Sequence, residues 1–209
     1  MYIAMDMKTR TYDMSTRQEA KDATRDAIIA ATIETFLAER TFAVTLPAVA
    51  ERAGITVKTV LRHFGNREVL IDEAWSRLFE QIKAERIPPP DDPVEAMNVL
   101  LAHYERRGDM VLTTLAQEDT DHRAKRMSDA GRAGHRAWIE KVFGDRLPDR
   151  RAERDRLVDV LVVVTDVYAW KLLRRDRELS VENVRDRMML MAEAVLAAAP
   201  PRRTNGRSR

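Results

Sequence analysis

Apolar positions along this chain recur every three to four residues for most of its length, and no stretch alternates with the period of two that marks a strand. The pattern predicts an all-α protein of about nine helices. The first helix is expected from near Thr16, where Glu19 stands at capping-box spacing, to about Glu39, with Ile28, Ala31, Thr35 and Phe36 on one face. Thr45 then reads as the N-cap of a short helix with Pro47 in its first turn, and Gly54 supplies a left-handed stop. Thr56 caps a second short helix running to about His63. Asn66 caps a longer one, along which Leu70, Ala74, Leu78 and Ile82 repeat every four residues as a buried stripe. The run Ile-Pro-Pro-Pro-Asp-Asp-Pro (87–93) stops that helix, because proline lacks the N–H and clashes with the preceding turn. Beyond it the periodicity predicts helices at roughly 93–107, 109–117, 121–143, 150–176 and 180–199.

The proline run divides the chain into an N-terminal part (1–86) and a larger helical body (87–199), followed by a basic, Pro- and Gly-containing tail (200–209) that reads as disordered. Composition narrows the chemistry. The absence of cysteine among 209 residues excludes disulfides, thiolate metal sites and cysteine nucleophiles. The first residues are too polar for a secretory signal, and the longest apolar run is interrupted by Asp166, far short of a membrane span. A cytoplasmic location without membrane association is the expectation. Net charge is only +2, so any nucleic-acid affinity must come from where the charges lie.

They concentrate in Ala53–Leu70, "AGITVKTVLRHFGNREVL". From Arg52 to Arg67 there are four Arg and Lys residues, Arg52, Lys58, Arg62 and Arg67, and no acid. A short helix, a turn at Gly54-Ile55 and a second short helix form a helix-turn-helix. Val57, Val60 and Phe64 suit packing against the first helix, leaving Lys58, Thr59, Arg62 and His63 on the other surface. A major groove demands such a face: short donors near the helix start, long cations for guanine edges or phosphates. Thr45 and Thr56, at helix N-termini, suit phosphate contact through hydroxyl and backbone N–H groups. The plainer reading, a solvated basic face, does not account for the two caps and the acid-free stretch together.

These residues resemble the tetracycline-repressor-type transcriptional regulators. That family's signature is matched by Thr45-Leu46, Val49-Ala50, Ala53-Gly54-Ile55, Thr56, Val60-Leu61-Arg62-His63-Phe64 and Arg67-Glu68-Val69-Leu70, and the likeness covers roughly residues 25–75 closely. The resemblance implies that Thr45 anchors the motif on the DNA backbone and that Arg67 stands where the family has a phosphate-binding lysine. It places Val57, Lys58 and Arg62 toward bases, with Thr59 and His63 near backbone or base edges. Two positions depart from the pattern. Leu61 replaces a phosphate-touching tyrosine and offers only an apolar contact, and Thr41 stands where a glycine usually follows the first helix. Arg10, Arg17 and Lys21 could form an arm reaching the minor groove, but the favoured reading of this stretch is a frayed tail without a role.

The body's segment 156–176 is apolar on nearly all sides, with Leu157, Leu161, Val164, Tyr168 and Leu172 on one stripe. With Val184, Met188, Met191 and Val195 of the last helix it suits a two-fold, four-helix contact between two copies of the chain. Asp166 stands in this apolar run and needs a partner, in a subunit contact or in a ligand pocket. By resemblance the body encloses an effector cavity, for which His103, Tyr104, Met110, Thr114, Trp138, Asp166 and Trp170 are candidates beside their plainer role as core. No metal is expected, since no two histidines stand at ligand spacing, and Asp121 reads as a helix cap. Neither an enzyme motif nor a nucleotide fingerprint is present, so no catalysis and no cofactor are expected. The expected protein is a homodimeric repressor that binds a palindromic operator in double-stranded DNA and is released by a small-molecule effector. The alternative is a constitutive dimeric DNA binder without an effector.

Overall fold

The computed structural model describes residues 7–198, with side chains from residue 15 onward. They form nine α-helical segments and no strand. In chain order these are α1 (Met7–Glu39), α2 (Leu46–Arg52), α3 (Val57–Phe64), α4 (Arg67–Glu85), α5 (Pro93–Gln117), α6 (His122–Val142), α7 (Arg151–Val164), α8 (Val167–Lys171) and α9 (Val181–Ala197). Two compact units divide the chain, Met1–Glu80 and Gln81–Arg209, so the division falls inside α4. No helix among the described residues is long and apolar enough to cross a membrane. The basic tail 200–209 and the side chain of Arg10 lie outside the described residues, while Arg17 and Lys21 are exposed on α1.

In the first unit, Ile28, Ile29, Phe36, Phe42, Val49, Val60, Phe64, Leu70, Ala74 and Leu78 are buried, all positions of the apolar stripes of α1–α4 or of the loop between α1 and α2. Phe36, Phe42 and Trp75 form an aromatic triad with ring centroids 4.5 to 5.2 Å apart. Such pairs add about 0.5–1.5 kcal/mol each beyond their burial. Among the described residues α1 already runs from Met7, ahead of the expected Thr16, so Thr16 lies within the helix rather than at its start. The left-handed residue after α1 is Arg40 (φ 52°), whose N–H donates to Phe36 O at 2.8 Å. Thr41 takes the next place, its Oγ1 accepting from Ala43 N at 3.1 Å. Glycine is thus dispensable there because the left-handed turn has moved one residue back.

In the second unit the apolar cluster is built from α5–α9, with Leu100, Tyr104, Ile139, Phe143, Leu161, Trp170, Val184 and Met188 at its centre. Two expectations fail here. The helix expected to break at Gly108 runs unbroken from Pro93 to Gln117. A Cβ at Gly108 would lie 2.4 Å from the Trp170 ring, so the glycine is a notch for an indole. Conversely, the helix expected over 150–176 breaks at Thr165, and Asp166 caps α8 with its carboxylate accepting from Tyr168 N at 2.9 Å. Asp166 therefore sits at a helix start rather than within an apolar helix, and the cap supplies its partner. A five-residue π-helical turn, Leu172–Asp176, continues α8. Asp121 caps α6, its Oδ1 accepting from Arg123 N at 2.7 Å.

Candidate nucleic-acid interface and effector site

The helix-turn-helix is fixed by its caps. Thr45 Oγ1 accepts from Ala48 N at 3.3 Å, opening α2. At the other end Gly54 (φ 66°) permits a double closure: Gly54 N donates to Glu51 O at 3.1 Å and Ile55 N to Ala50 O at 2.9 Å. Thr56 Oγ1 accepts from Thr59 N at 3.2 Å, opening α3, and Gly65 (φ 77°) closes it. Asn66 Oδ1 accepts from Val69 N at 2.9 Å and starts α4. Both threonine oxygens are acceptors in these caps, and Thr56 Oγ1 also lies 3.0 Å from Thr59 Oγ1, with which it shares a hydroxyl hydrogen bond.

Helix α3 is sharply two-faced. Val60 and Phe64 are buried, Val57, Thr59 and His63 are half-buried, and Lys58, Leu61 and Arg62 are exposed. The side chains of Lys58 and Arg62 make no hydrogen bond or ion pair within the described residues, so both cations are available to a partner. The His63 ring is different. Its Nδ1 is buried without a partner, and desolvation, then the charges of Arg62, Lys21 and Arg25, hold its pKa below the ordinary histidine value. His63 is therefore a neutral ring at pH 7 and a hydrogen-bonding group rather than a cation.

Three arginines hold this frame from behind. The Arg67 guanidinium, expected at a phosphate, donates to Val44 O at 2.6 Å through Nε and to Phe42 O at 3.2 Å through Nη2. Its Nη1 pairs with Glu68 at 2.9 Å. Arg25 ion-pairs with Glu73, donates to His63 O at 2.6 Å, and lies 4.2 Å over the Phe64 ring. Arg52 Nε donates to Thr35 Oγ1 at 3.1 Å. Arg25 was invisible to motif reading, since its partners lie 38 and 48 residues away.

In the body, the expected effector residues lie deep. His103, Tyr104, Met110, Thr114, Trp138 and Trp170 are all buried. Tyr104 donates its hydroxyl to Thr165 O at 3.0 Å, which occupies a carbonyl freed by the break after α7. Trp170 Nε1 donates to Glu105 at 2.7 Å, and Arg174 Nε reaches the same carboxylate at 3.2 Å. Thr114 Oγ1 donates to Met110 O at 2.9 Å, an ordinary turn-to-turn bond within α5. Asp166 differs from them in being half-buried and the cap of α8. The structure adds residues that the pattern did not mark, namely Arg86, His135 and Thr165. Arg86 Nη2 lies 2.8 Å from His135 Nδ1, and His135 Nε2 lies 3.1 Å from Thr165 Oγ1, itself 2.7 Å from Leu161 O. Burial, then the nearby Arg86 charge, pushes the pKa of His103 down to about 4 and that of His135 down to about 3.

Comparison with known proteins agrees with this geometry. Residues 28–74 match the family described as bacterial regulatory proteins, tetR family. Over 162 residues, 74% of this chain and 74% of the relative, the sequence is 30% identical to the HTH-type transcriptional repressor KstR of Rhodococcus jostii (strain RHA1). A crystal structure of a chain assigned to the TetR-family transcriptional regulators, from Rhodococcus sp., superposes with a TM-score of 0.58 over 83% of this chain and 99% of that one. At 16% identity this second likeness is one of fold.

Proposed function

We propose that this chain, which belongs to the tetR family of bacterial regulatory proteins, is a repressor that reads a palindromic operator as a two-fold dimer and leaves it when a small molecule binds the body. That it is a DNA-binding regulator and not an enzyme follows from the family. The finer reading rests above all on the outward face of α3, where Lys58 and Arg62 have no internal partner while Val60 and Phe64 anchor the same helix. A free cation pair on a rigid short helix suits the major groove, with Arg62 bidentate on a guanine and Lys58 on a base edge or phosphate. Val57, Thr59 and His63 border that face, Leu61 supplies an apolar contact such as a thymine methyl, and the Thr45 and Thr56 hydroxyls meet phosphates. Arg67 contributes by fixing the Phe42–Val44 loop ahead of α2.

One helix-turn-helix covers only half a site, so a second copy is required, with half-sites about one helical turn apart. Support for pairing through the C-terminal helices comes from apolar residues that one chain leaves uncovered: Val160, Val163, Tyr168, Leu172 and Leu190, at 42% to 68% exposure. An effector then acts by binding one of two dimer conformations more tightly, and only that difference in affinity releases DNA. The constitutive reading draws support from the close packing of Trp170 on Gly108. The buried polar atoms without partners in the body, Arg86 Nε and Trp138 Nε1 among them, favour the effector.

Selection of bound duplexes from a random DNA pool tests the reading. Enrichment of an inverted repeat is the expected result; no enriched sequence from a folded dimer would remove α3 as a sequence reader. Arg62→Ala is expected to relax preference at one base position per half-site, worth about 1–3 kcal/mol of discrimination. Arg67→Ala is expected to weaken binding to all sequences alike.

A further inference from the structure

The Arg86 guanidinium is a cation turned inward with no ion pair in contact, the charge of Asp166 reaching it only from farther off. Its one side-chain hydrogen bond goes to His135 Nδ1 at 2.8 Å, and its Nε is shut off from solvent with no partner. The adjacent carboxylate, Glu85, is engaged elsewhere: Arg107 Nη2 lies 3.0 Å from it and Arg106 Nη2 3.9 Å. The histidine cannot balance the charge. Arginine only donates, so His135 Nδ1 must be the unprotonated acceptor, and the proton sits on Nε2, facing Thr165 Oγ1. The Thr165 hydroxyl can accept there because its own proton goes to Leu161 O at 2.7 Å. His135 is thus locked as a neutral ring that orients Arg86, and only the more distant Asp166 offsets its charge.

Such an arrangement works against stability. A desolvated cation without a counter-ion in contact is costly, and glutamine or methionine at residue 86 would fill the space without that penalty. The same region holds one further buried polar atom without a partner, Trp138 Nε1, while His103 Nδ1 lies 3.6 Å from Glu85 Oε2. Trp138 also stacks on His135, with centroids 5.9 Å apart and 14° between planes. Around them the walls are apolar, since Tyr104 and Trp138 both belong to the main hydrophobic cluster of the body.

We propose that Arg86, oriented by His135, is the carboxylate-binding end of the effector site, and that the effector is an apolar molecule carrying one carboxylate. This rests on the effector reading above and deepens it. A single negative charge fits better than a phosphate dianion, because among the described residues of the cluster Arg107 is paired with Glu85 and near neutral pH both His103 and His135 are held uncharged by their burial, which leaves Arg86. The apolar remainder of the ligand lies against the aromatic side chains.

The test uses the full-length protein and two matched probe series, straight-chain carboxylates from butanoate to hexadecanoate and the corresponding primary alcohols, each below its micelle concentration. Binding is read from tryptophan fluorescence and from release of the selected operator duplex. A hydrogen bond to a charged group predicts that at some chain length the carboxylate binds about ten- to hundredfold tighter than its alcohol. In Arg86→Gln, which keeps a donor for His135, that ratio is expected to fall to near unity, while the melting temperature without ligand holds or rises. Reading the ratio within each variant separates loss of recognition from loss of fold. If alcohols bind and carboxylates bind no tighter, the effector site stands and the Arg86 assignment falls. A preference that survives in Arg86→Gln overturns the assignment too. If no member of either series binds or releases DNA, both the assignment and the effector reading are overturned.

Discussion

The two units of the chain use the same residue type in opposite ways. Among the described residues of the N-terminal unit, three arginines of the frame find an oxygen: Arg25 reaches Glu73 and His63 O, Arg67 reaches Phe42 O and Val44 O, and Arg52 reaches Thr35 Oγ1. The cations left without partners, Lys58 and Arg62, face water, where an unpaired charge is cheap to keep. In the body the arrangement is inverted. Arg86 is unpaired and shielded, touching a neutral imidazole. An unpaired cation points to a partner in both units, but one partner is a polyanion arriving from solvent and the other must be carried inside.

Acid should separate the units most strongly. His103 and His135 carry folded-state pKa values of about 4 and about 3, below the ordinary 6.5. Unfolded chains therefore bind protons first as pH falls. The stability these rings contribute is complete above pH 6.5 and is lost progressively below it, by up to about 1.4 kcal/mol per pH unit for each ring. By pH 5 the body is expected to lose about 2–4 kcal/mol. His63 adds a smaller effect of the same sign in the N-terminal unit, its ring being half-exposed. Hydrogen exchange followed separately for residues 7–80 and 81–198 should show the body opening first; equal loosening would break the comparison.

A smaller effect, confined to the body, is expected from Gly108→Ala. The added methyl meets the Trp170 ring at 2.4 Å, so the indole must move, at about 1–3 kcal/mol. The improved helix propensity returns at most about 1 kcal/mol, so the net change is a loss, seen as a lower melting temperature and altered Trp170 fluorescence. Smallest, and confined to the N-terminal unit, is Thr56→Ala. Removing the cap of α3 should cost about 1 kcal/mol, measured as a shift in the denaturant midpoint, with operator affinity falling on all sequences.

Legibility in sequence followed the range of the interactions. The helix-turn-helix was readable because its determinants are local: Thr45, Gly54, Thr56 and Asn66 each act within three residues or so on their own backbone. The body misled where a local signal served a distant contact. Gly108 looked like a break and is a notch for Trp170, 62 positions on. Asp166 looked like a charge stranded in a helix, because a run of five apolar residues hid the break at Thr165. The polar cluster was beyond sequence reading altogether, since Arg86, His103, His135 and Thr165 come together only when α4's end, α5, α6 and the end of α7 pack. Any one of them alone reads as an ordinary helical residue.

The bond from Arg67 back to the carbonyls of Phe42 and Val44 also bears on how the protein can change. It closes a loop around α2 and α3 from outside the recognition surface, so the motif is held together by residues that need not touch bases. Lys58, Leu61 and Arg62 are in turn free of structural duty. If those three positions read the bases as proposed, the address on DNA can be rewritten one letter at a time there while the bracket that presents them stays as it is. Altered operator preference should be reachable by single substitutions that leave the melting temperature where it was.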